Sequence, residues 1–226
     1  ERKCKRALCE ILKVKPPHDI DLTITGFEAP ELDRLMIDPE PAATESLPDP
    51  GDVIAVNRPG DVWQVGSHRL ICGDARDEAV MTQLVDGRQV RMSFTDPPYN
   101  VRVPGNVSGL GRHHHPDFAM ASGEMDREAY VAFLTTVFGR MAAVARDGAL
   151  HYVGMDWRHI REVVEAGMAV FTELKNIAIW RKTNAGMGSL YRSQHEMIPL
   201  FKQGTAAHVN NVALGQHGRN RTNVWD

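Results

Sequence analysis

Asp96-Pro97-Pro98-Tyr99-Asn100 places a carboxylate, two residues without a backbone N–H and an aromatic ring directly behind the apolar run Val90–Thr95. Those types suit one task, the holding of a planar amino group. The exocyclic amine of a nucleobase is a poor nucleophile because its lone pair is delocalised into the ring. Two acceptors for its N–H groups draw the nitrogen toward tetrahedral geometry and aim that lone pair outward. The Asp96 carboxylate can be one acceptor and the Pro97 carbonyl the other. Proline fixes φ, so it aims its carbonyl, and it brings no competing donor. Tyr99 offers a π-face for a base that has left a duplex. A proline-rich turn ending a strand, with Asp96 as a helix cap and Tyr99 as packing, accounts for the same residues. The motif alone does not choose between the two.

Asp74, behind Ile71-Cys72-Gly73, is a second polar group placed just after an apolar run. It can accept a hydrogen bond from a nucleoside edge, with Gly73 allowing close approach, or it can cap a helix near Glu78. The segment Asn184–Arg192 is glycine-bearing and follows Arg181-Lys182. Such a loop suits phosphate contact, and Arg192 suits a bidentate contact to phosphate or guanine, although a simple turn uses the same residues. His113-His114-His115 invites a metal reading. Three consecutive side chains diverge, however, and no spaced histidine pair or cysteine partner accompanies them, so no metal is assigned.

The elements that must position these residues follow from periodicity. Strands are predicted at Arg69–Cys72, Val90–Thr95, Ala149–Val153, Leu174–Trp180 and Met197–Phe201, and helices at Glu78–Leu84, Arg127–Ala145 and Trp157–Met168. In the second helix Tyr130, Phe133, Leu134, Val137, Met141 and Val144 form one stripe, with Asp126 as cap and Gly148 as stop. Alternating strands and helices imply an α/β fold with a mainly parallel sheet covered on both faces, and such sheets bind ligands beyond the carboxyl ends of their strands. Asp74 and Asp96 are both expected there. The stretch Val101–Glu124 is long enough to serve as a loop beside the site.

The 226 residues, 42% hydrophobic and 24% charged, are those of an ordinary globular chain, with no run long enough to cross a membrane and no signal peptide. The reading is cytoplasmic. Cys4, Cys9 and Cys72 are too few and too scattered for a disulfide framework and are read as reduced thiols. A net charge of -3 argues against nucleic acid until it is divided along the chain: from Lys175 onward seven basic residues face two acidic ones. Phosphate contacts depend on such local fields. Residues 1–38 begin with a basic amphipathic helix, residues 39–59 form a Pro-rich acidic linker carrying Pro39, Pro41, Pro48 and Pro50, and the patterned domain spans residues 60–226. The chain opens on Glu1 and reads as a fragment.

From Gly60 to Asp226 a series of blocks stands in a recognisable order: Trp63–Ala75, the Asp96 motif, Gly154-Met155-Asp156-Trp157-Arg158-His159, Trp180–Gly188, Tyr191–Glu196 and Thr222-Asn223-Val224-Trp225-Asp226. This resembles the amino-group DNA methyltransferases that act on adenine N6 or cytosine N4, in the permuted order in which D-P-P-Y precedes the cofactor's glycine loop. Residues 1–38 look like the remnant of a ParB-like region fused to such methylases.

The resemblance implies a Rossmann-like sheet and S-adenosylmethionine as methyl donor. It implies double-stranded DNA as partner, with catalysis by Asp96, Pro97, Pro98 and Tyr99 on a flipped base. Cofactor contact falls to Asp74 and Ala75, and DNA contact to Arg181, Lys182 and Arg192. Asp at the head of the motif favours adenine N6. Since the alkylated nitrogen becomes acidic, no strong base is required, and His195-Glu196 is read as structural or loop-orienting. The family's glycine loop is expected after the recognition region and is not found before Asp226. The expectation is therefore a C-terminally incomplete methylase with weak or absent cofactor binding and no turnover. A non-catalytic DNA-binding fragment, or a methylase acting on RNA or on a protein glutamine, are the alternatives.

Overall fold

A computed structural model describes residues 56–102, 119–186, 190–216 and 220–226. Within them the periods of the sequence become a mixed α/β fold. Strands β1 (Val62–Val65) and β2 (His68–Ile71) form an antiparallel hairpin. Helix α1 (Glu78–Val85) opens on Asp77, whose carboxylate accepts from the Ala79 N–H. Then follow β3 (Val90–Thr95), α2 (Arg127–Ala143), β4 (Ala145–Val153), α3 (Ile160–Val170), β5 (Glu173–Arg181), β6 (His195–Lys202) and β7 (Val224–Trp225).

The main sheet has five strands in the order β3-β4-β6-β5-β7. β3 lies parallel to β4 and β5 parallel to β7, while β6 is antiparallel to both of its neighbours. Four strands thus run one way and β6 alone opposes them. The reversal brings the first residues of β6 to the same sheet edge as the last residues of β3, β4 and β5. Each ladder has a defined register, which fixes the face each side chain takes.

One face of the sheet carries the core. Tyr130, Leu134, Phe138 and Met141 of α2, Val163 and Ala166 of α3, and Val153 and Phe201 of the sheet pack together with Phe171. Full burial of each large apolar side chain contributes roughly 1.5–3 kcal/mol. Asp126 caps α2 by accepting from the Ala129 N–H, as the sequence predicts. Arg127 ties α2 to α3 through an ion pair with Glu165.

Three expectations are corrected. The strand foreseen at Arg69–Cys72 is β2 of the separate hairpin and not a member of the main sheet, because its partner is the adjacent run Val62–Val65, which periodicity alone did not expose. Helix α2 ends at Ala143 rather than Ala145, and Gly148 does not stop it. That residue lies inside β4 with φ +84°, a conformation glycine adopts without steric cost. Among the described residues, helices cover one face only. On the other, Met92, Phe94 and Trp180 are exposed, Phe94 stacked on Tyr152 and Tyr152 on Trp225.

Contacts divide the chain into two compact units, residues 57–209 with 223–226 and residues 1–56 with 210–222. In the second, Asn210 accepts from the N–H groups of Val212 and Ala213 and so forms a local turn. The basic segment and most of the linker predicted within residues 1–59 lie outside the described residues, as do His113-His114-His115 and most of the loop expected at Val101–Glu124.

Candidate active site

β3 delivers Asp96 to the edge of the sheet, where its carboxylate is exposed while Pro97 behind it is buried. The backbone beyond is fixed from two sides. The Tyr130 hydroxyl, fully buried on α2, donates to the Pro98 carbonyl at 2.8 Å. Asn100 holds a left-handed φ of 53°, which asparagine tolerates better than most residues. Its side chain donates to the Met125 carbonyl at 2.9 Å and accepts from the N–H groups of Gly123 and Met125 at 3.1 and 3.3 Å. The motif is therefore held by α2 and by the segment leading into α2, and its carbonyls cannot swing.

Gly154, just past the end of β4, forms the floor. Its N–H donates to the Thr95 carbonyl at 2.8 Å, and a β-carbon there would stand 2.9 Å from Asp96 Oδ1 and 3.5 Å from the Tyr99 hydroxyl. No larger residue leaves the carboxylate where it is. Tyr99 closes the group: its hydroxyl lies 2.5 Å from Asp96 Oδ1 and 3.0 Å from Glu196 Oε2. Burial, followed by its bond to Asp96, pushes the Tyr99 phenol well above its ordinary value, so it stays protonated and acts as a donor. Glu196 is in turn ion-paired with Lys182, whose ammonium sits 5.6 Å from the centre of the Trp180 ring. An acceptor on a rigid strand end, a donor beside it and an aromatic ring make a place where a planar amine can be bound and its nitrogen polarised.

The sequence model of the DNA methylase family (N6_N4_Mtase) matches residues 90–225, from the first residue of β3 through β7. The chain belongs to this family. Among solved structures, the methylase is similar to M1.HpyAVI in complex with SAM, at 13% identity and a TM-score of 0.40, covering 66% of this chain and 60% of that one. It is similar to the DNA modification methylase TTHA0409 of Thermus thermophilus, at 15% identity and a TM-score of 0.44, covering 68% and 65%. A third is PvuII DNA methyltransferase, cytosine-N4-specific, at 11% identity and a TM-score of 0.40, covering 62% and 52%. The methylase chain thus spans about 60% of the length of the first of these. No curated protein matches it.

Asp74 follows the hairpin. Its carboxylate accepts from the Arg76 backbone N–H at 2.9 Å and from the Arg76 guanidinium at 2.6 Å, and these bonds hold it below its ordinary pKa. Asp77, not Asp74, caps α1. Gly73 faces Val80 of α1, 2.8 Å from where a β-carbon would lie, so its smallness serves helix packing. The three basic residues Arg181, Lys182 and Arg192 of the methylase gather around the segment joining β5 to β6, each with an internal partner. Arg181 pairs with Asp226 at 2.6 Å, Lys182 with Glu196, and Arg192 donates to the carbonyls of Ala185 and Gly186 at 2.6 and 3.0 Å.

Four residues at the site escaped the sequence reading in these roles. Tyr130 read as one apolar stripe position among six, and its hydroxyl partner is fixed only by tertiary packing. Asn100 was part of the motif without a role, though an asparagine after a proline pair is a recognisable left-handed turn signal. Glu196 was assigned to structure, because nothing in sequence says that β6 enters the sheet reversed. Gly154 opens a family block, and its closeness to Asp96 follows from the parallel register of Thr95 with Val153.

Proposed function

We propose that this protein methylates DNA at an exocyclic base amine, most specifically adenine N6, using S-adenosylmethionine. The carrying observation is the exposed Asp96 carboxylate, held at a strand end by Gly154 and faced by the half-buried Tyr99. The target base leaves the duplex at a cost of a few kcal/mol and stacks on the Tyr99 ring. Its amine donates one N–H to Asp96 and the other to the Pro97 carbonyl. The Pro98 carbonyl already accepts from Tyr130. Asp96 then stabilises the positive charge that develops on nitrogen as the N–C bond forms and the C–S bond breaks, and the acidified nitrogen afterwards loses a proton to solvent.

The cofactor, when bound, supplies an electrophilic methyl group on sulfur. Asp74 and Ala75 are proposed for its adenine end. Asp74 fits this role: its side chain is 42% exposed despite the Arg76 pair, and a carboxylate has lone pairs for a further donor. The segment from Arg181 to Arg192 is proposed to meet DNA phosphates, with the internal partners exchanged for phosphate oxygens. Preference for adenine rests on Asp heading the motif, and the permuted order on the position of that motif within the matched span.

The test is transfer of labelled methyl from S-adenosylmethionine to duplex DNA, followed by hydrolysis to nucleosides. Label in N6-methyladenine, lost by at least about 100-fold in Asp96→Ala, supports the proposal. Label in N4-methylcytosine overturns the choice of base, and label only in RNA or protein overturns the choice of substrate. Asp74→Ala is expected to weaken cofactor binding about tenfold by calorimetry. Unchanged affinity removes Asp74 from the cofactor site.

A further inference from the structure

The Tyr99 hydroxyl carries one proton and faces two carboxylates, Asp96 Oδ1 at 2.5 Å and Glu196 Oε2 at 3.0 Å. It can donate fully to only one of them at a time. Asp96 is the acceptor on which the proposed reaction depends, and a donor already bonded to it withdraws the negative charge a base amine needs. Glu196 is placed to relieve it. Its side chain is largely buried, 18% exposed, with Oε1 held by the Lys182 ammonium and Oε2 turned to Tyr99. The ion pair fixes Glu196 in place and offsets the cost of a second carboxylate so close to the first.

We propose that Glu196 is a positioning residue for base capture: it takes over the Tyr99 hydroxyl when a base amine arrives, releasing Asp96 to accept that amine. Tyr99 is then a latch. With no base present its hydroxyl rests on Asp96. With a base stacked on the ring it turns to Glu196, and the Asp96 carboxylate regains its full charge. Lys182 belongs to the same device, because it holds Glu196 at the receiving position. The inference rests on the reading of Asp96 as the amine's acceptor.

The test compares the affinity of the full chain for a short single-stranded oligonucleotide carrying one adenine with that for the same oligonucleotide carrying an abasic position. The ratio reports base capture without requiring turnover. Glu196→Ala is expected to lower this adenine preference about tenfold, and Glu196→Gln, which keeps an acceptor oxygen, to restore most of it. In a Tyr99→Phe background, which keeps the ring and removes the competing donor, Glu196→Ala is expected to change the preference by less than about twofold. An equal loss in both backgrounds, or no loss in either, overturns the proposal, since Glu196 would then act through the strand or through Lys182 alone. Thermal melts of each variant separate these outcomes from misfolding, and Glu196→Gln carries the test if Glu196→Ala does not fold: loss of the preference there overturns it. If Asp96→Ala leaves the preference intact, the base-holding reading itself fails. If Asp96→Ala abolishes it while the two Glu196→Ala effects are equal, only the latch fails.

Discussion

Gly154 and Asp96 are so close that a single added methyl group at residue 154 would lie 2.9 Å from the carboxylate oxygen. The crowded atom is the tip of a flexible side chain, so the strain of Gly154→Ala falls on the position of Asp96 and not on the sheet. The variant is expected to melt within a few degrees of the parent while DNA methylation falls on the order of 100-fold, the scale of a displacement of about 1 Å at a reacting group. Thermal denaturation beside labelled-methyl transfer checks it. A large loss of stability with activity per folded molecule intact would show that Gly154 serves the fold.

Tyr130→Phe removes the donor to the Pro98 carbonyl and little else, because the ring packing against Leu134 and its neighbours is retained. The expected cost is about 1–2 kcal/mol in urea denaturation, from a carbonyl left without its partner. A variant as stable as the parent would mean that water replaces the hydroxyl without loss.

Asn100→Ala deletes three hydrogen bonds to residues 123–125 and leaves a residue less tolerant of φ 53°. About 2–3 kcal/mol of destabilisation is expected. Asn100→Gly keeps the conformational tolerance and should lose less on that account, although it too lacks the amide. Equal loss in the two variants assigns the effect to the hydrogen bonds rather than to the backbone.

His151 is fully buried on β4, its ring stacked on Phe171 and its Nδ1 2.8 Å from Ser93 Oγ. Burial lowers its pKa from 6.5 to about 4. The folded value lies below the unfolded one, so between them the unfolded chain binds the proton first. Stability contributed by neutral His151 is complete above pH 6.5 and is lost as the pH falls toward 4, by about 3 kcal/mol over that window. Urea midpoints measured from pH 7 to pH 4 should show this slope, and His151→Leu should flatten it.

The strands and helices were legible where the period ran long. Tyr130 through Met141 announced α2, and the apolar run before Asp96 announced β3. The hairpin β1–β2 was half seen, because four-residue strands give too few alternations to separate from a loop. Residue order also hides strand direction. His195–Lys202 reads as a strand either way, yet only its antiparallel entry carries Glu196 to Tyr99. At the site, Asp96 and Tyr99 were recognised from chemistry local to five residues. Tyr130, Gly154 and Glu196 come from three other elements, and their contribution depends on sheet order and register, which no short motif encodes.

The reversed strand has a further consequence for how this scaffold can vary. Because β6 contributes its beginning to the site, the connection that precedes it starts and ends at the same rim as the catalytic motif. Insertion or loss of residues in that connection costs little closure entropy and reshapes only what surrounds the target base. A one-residue slip of β6 would instead present His195 or Met197 where Glu196 now stands. Length is free to drift in the connection while pairing in the strand is locked, so new sequence preferences can be explored without dismantling the chemistry.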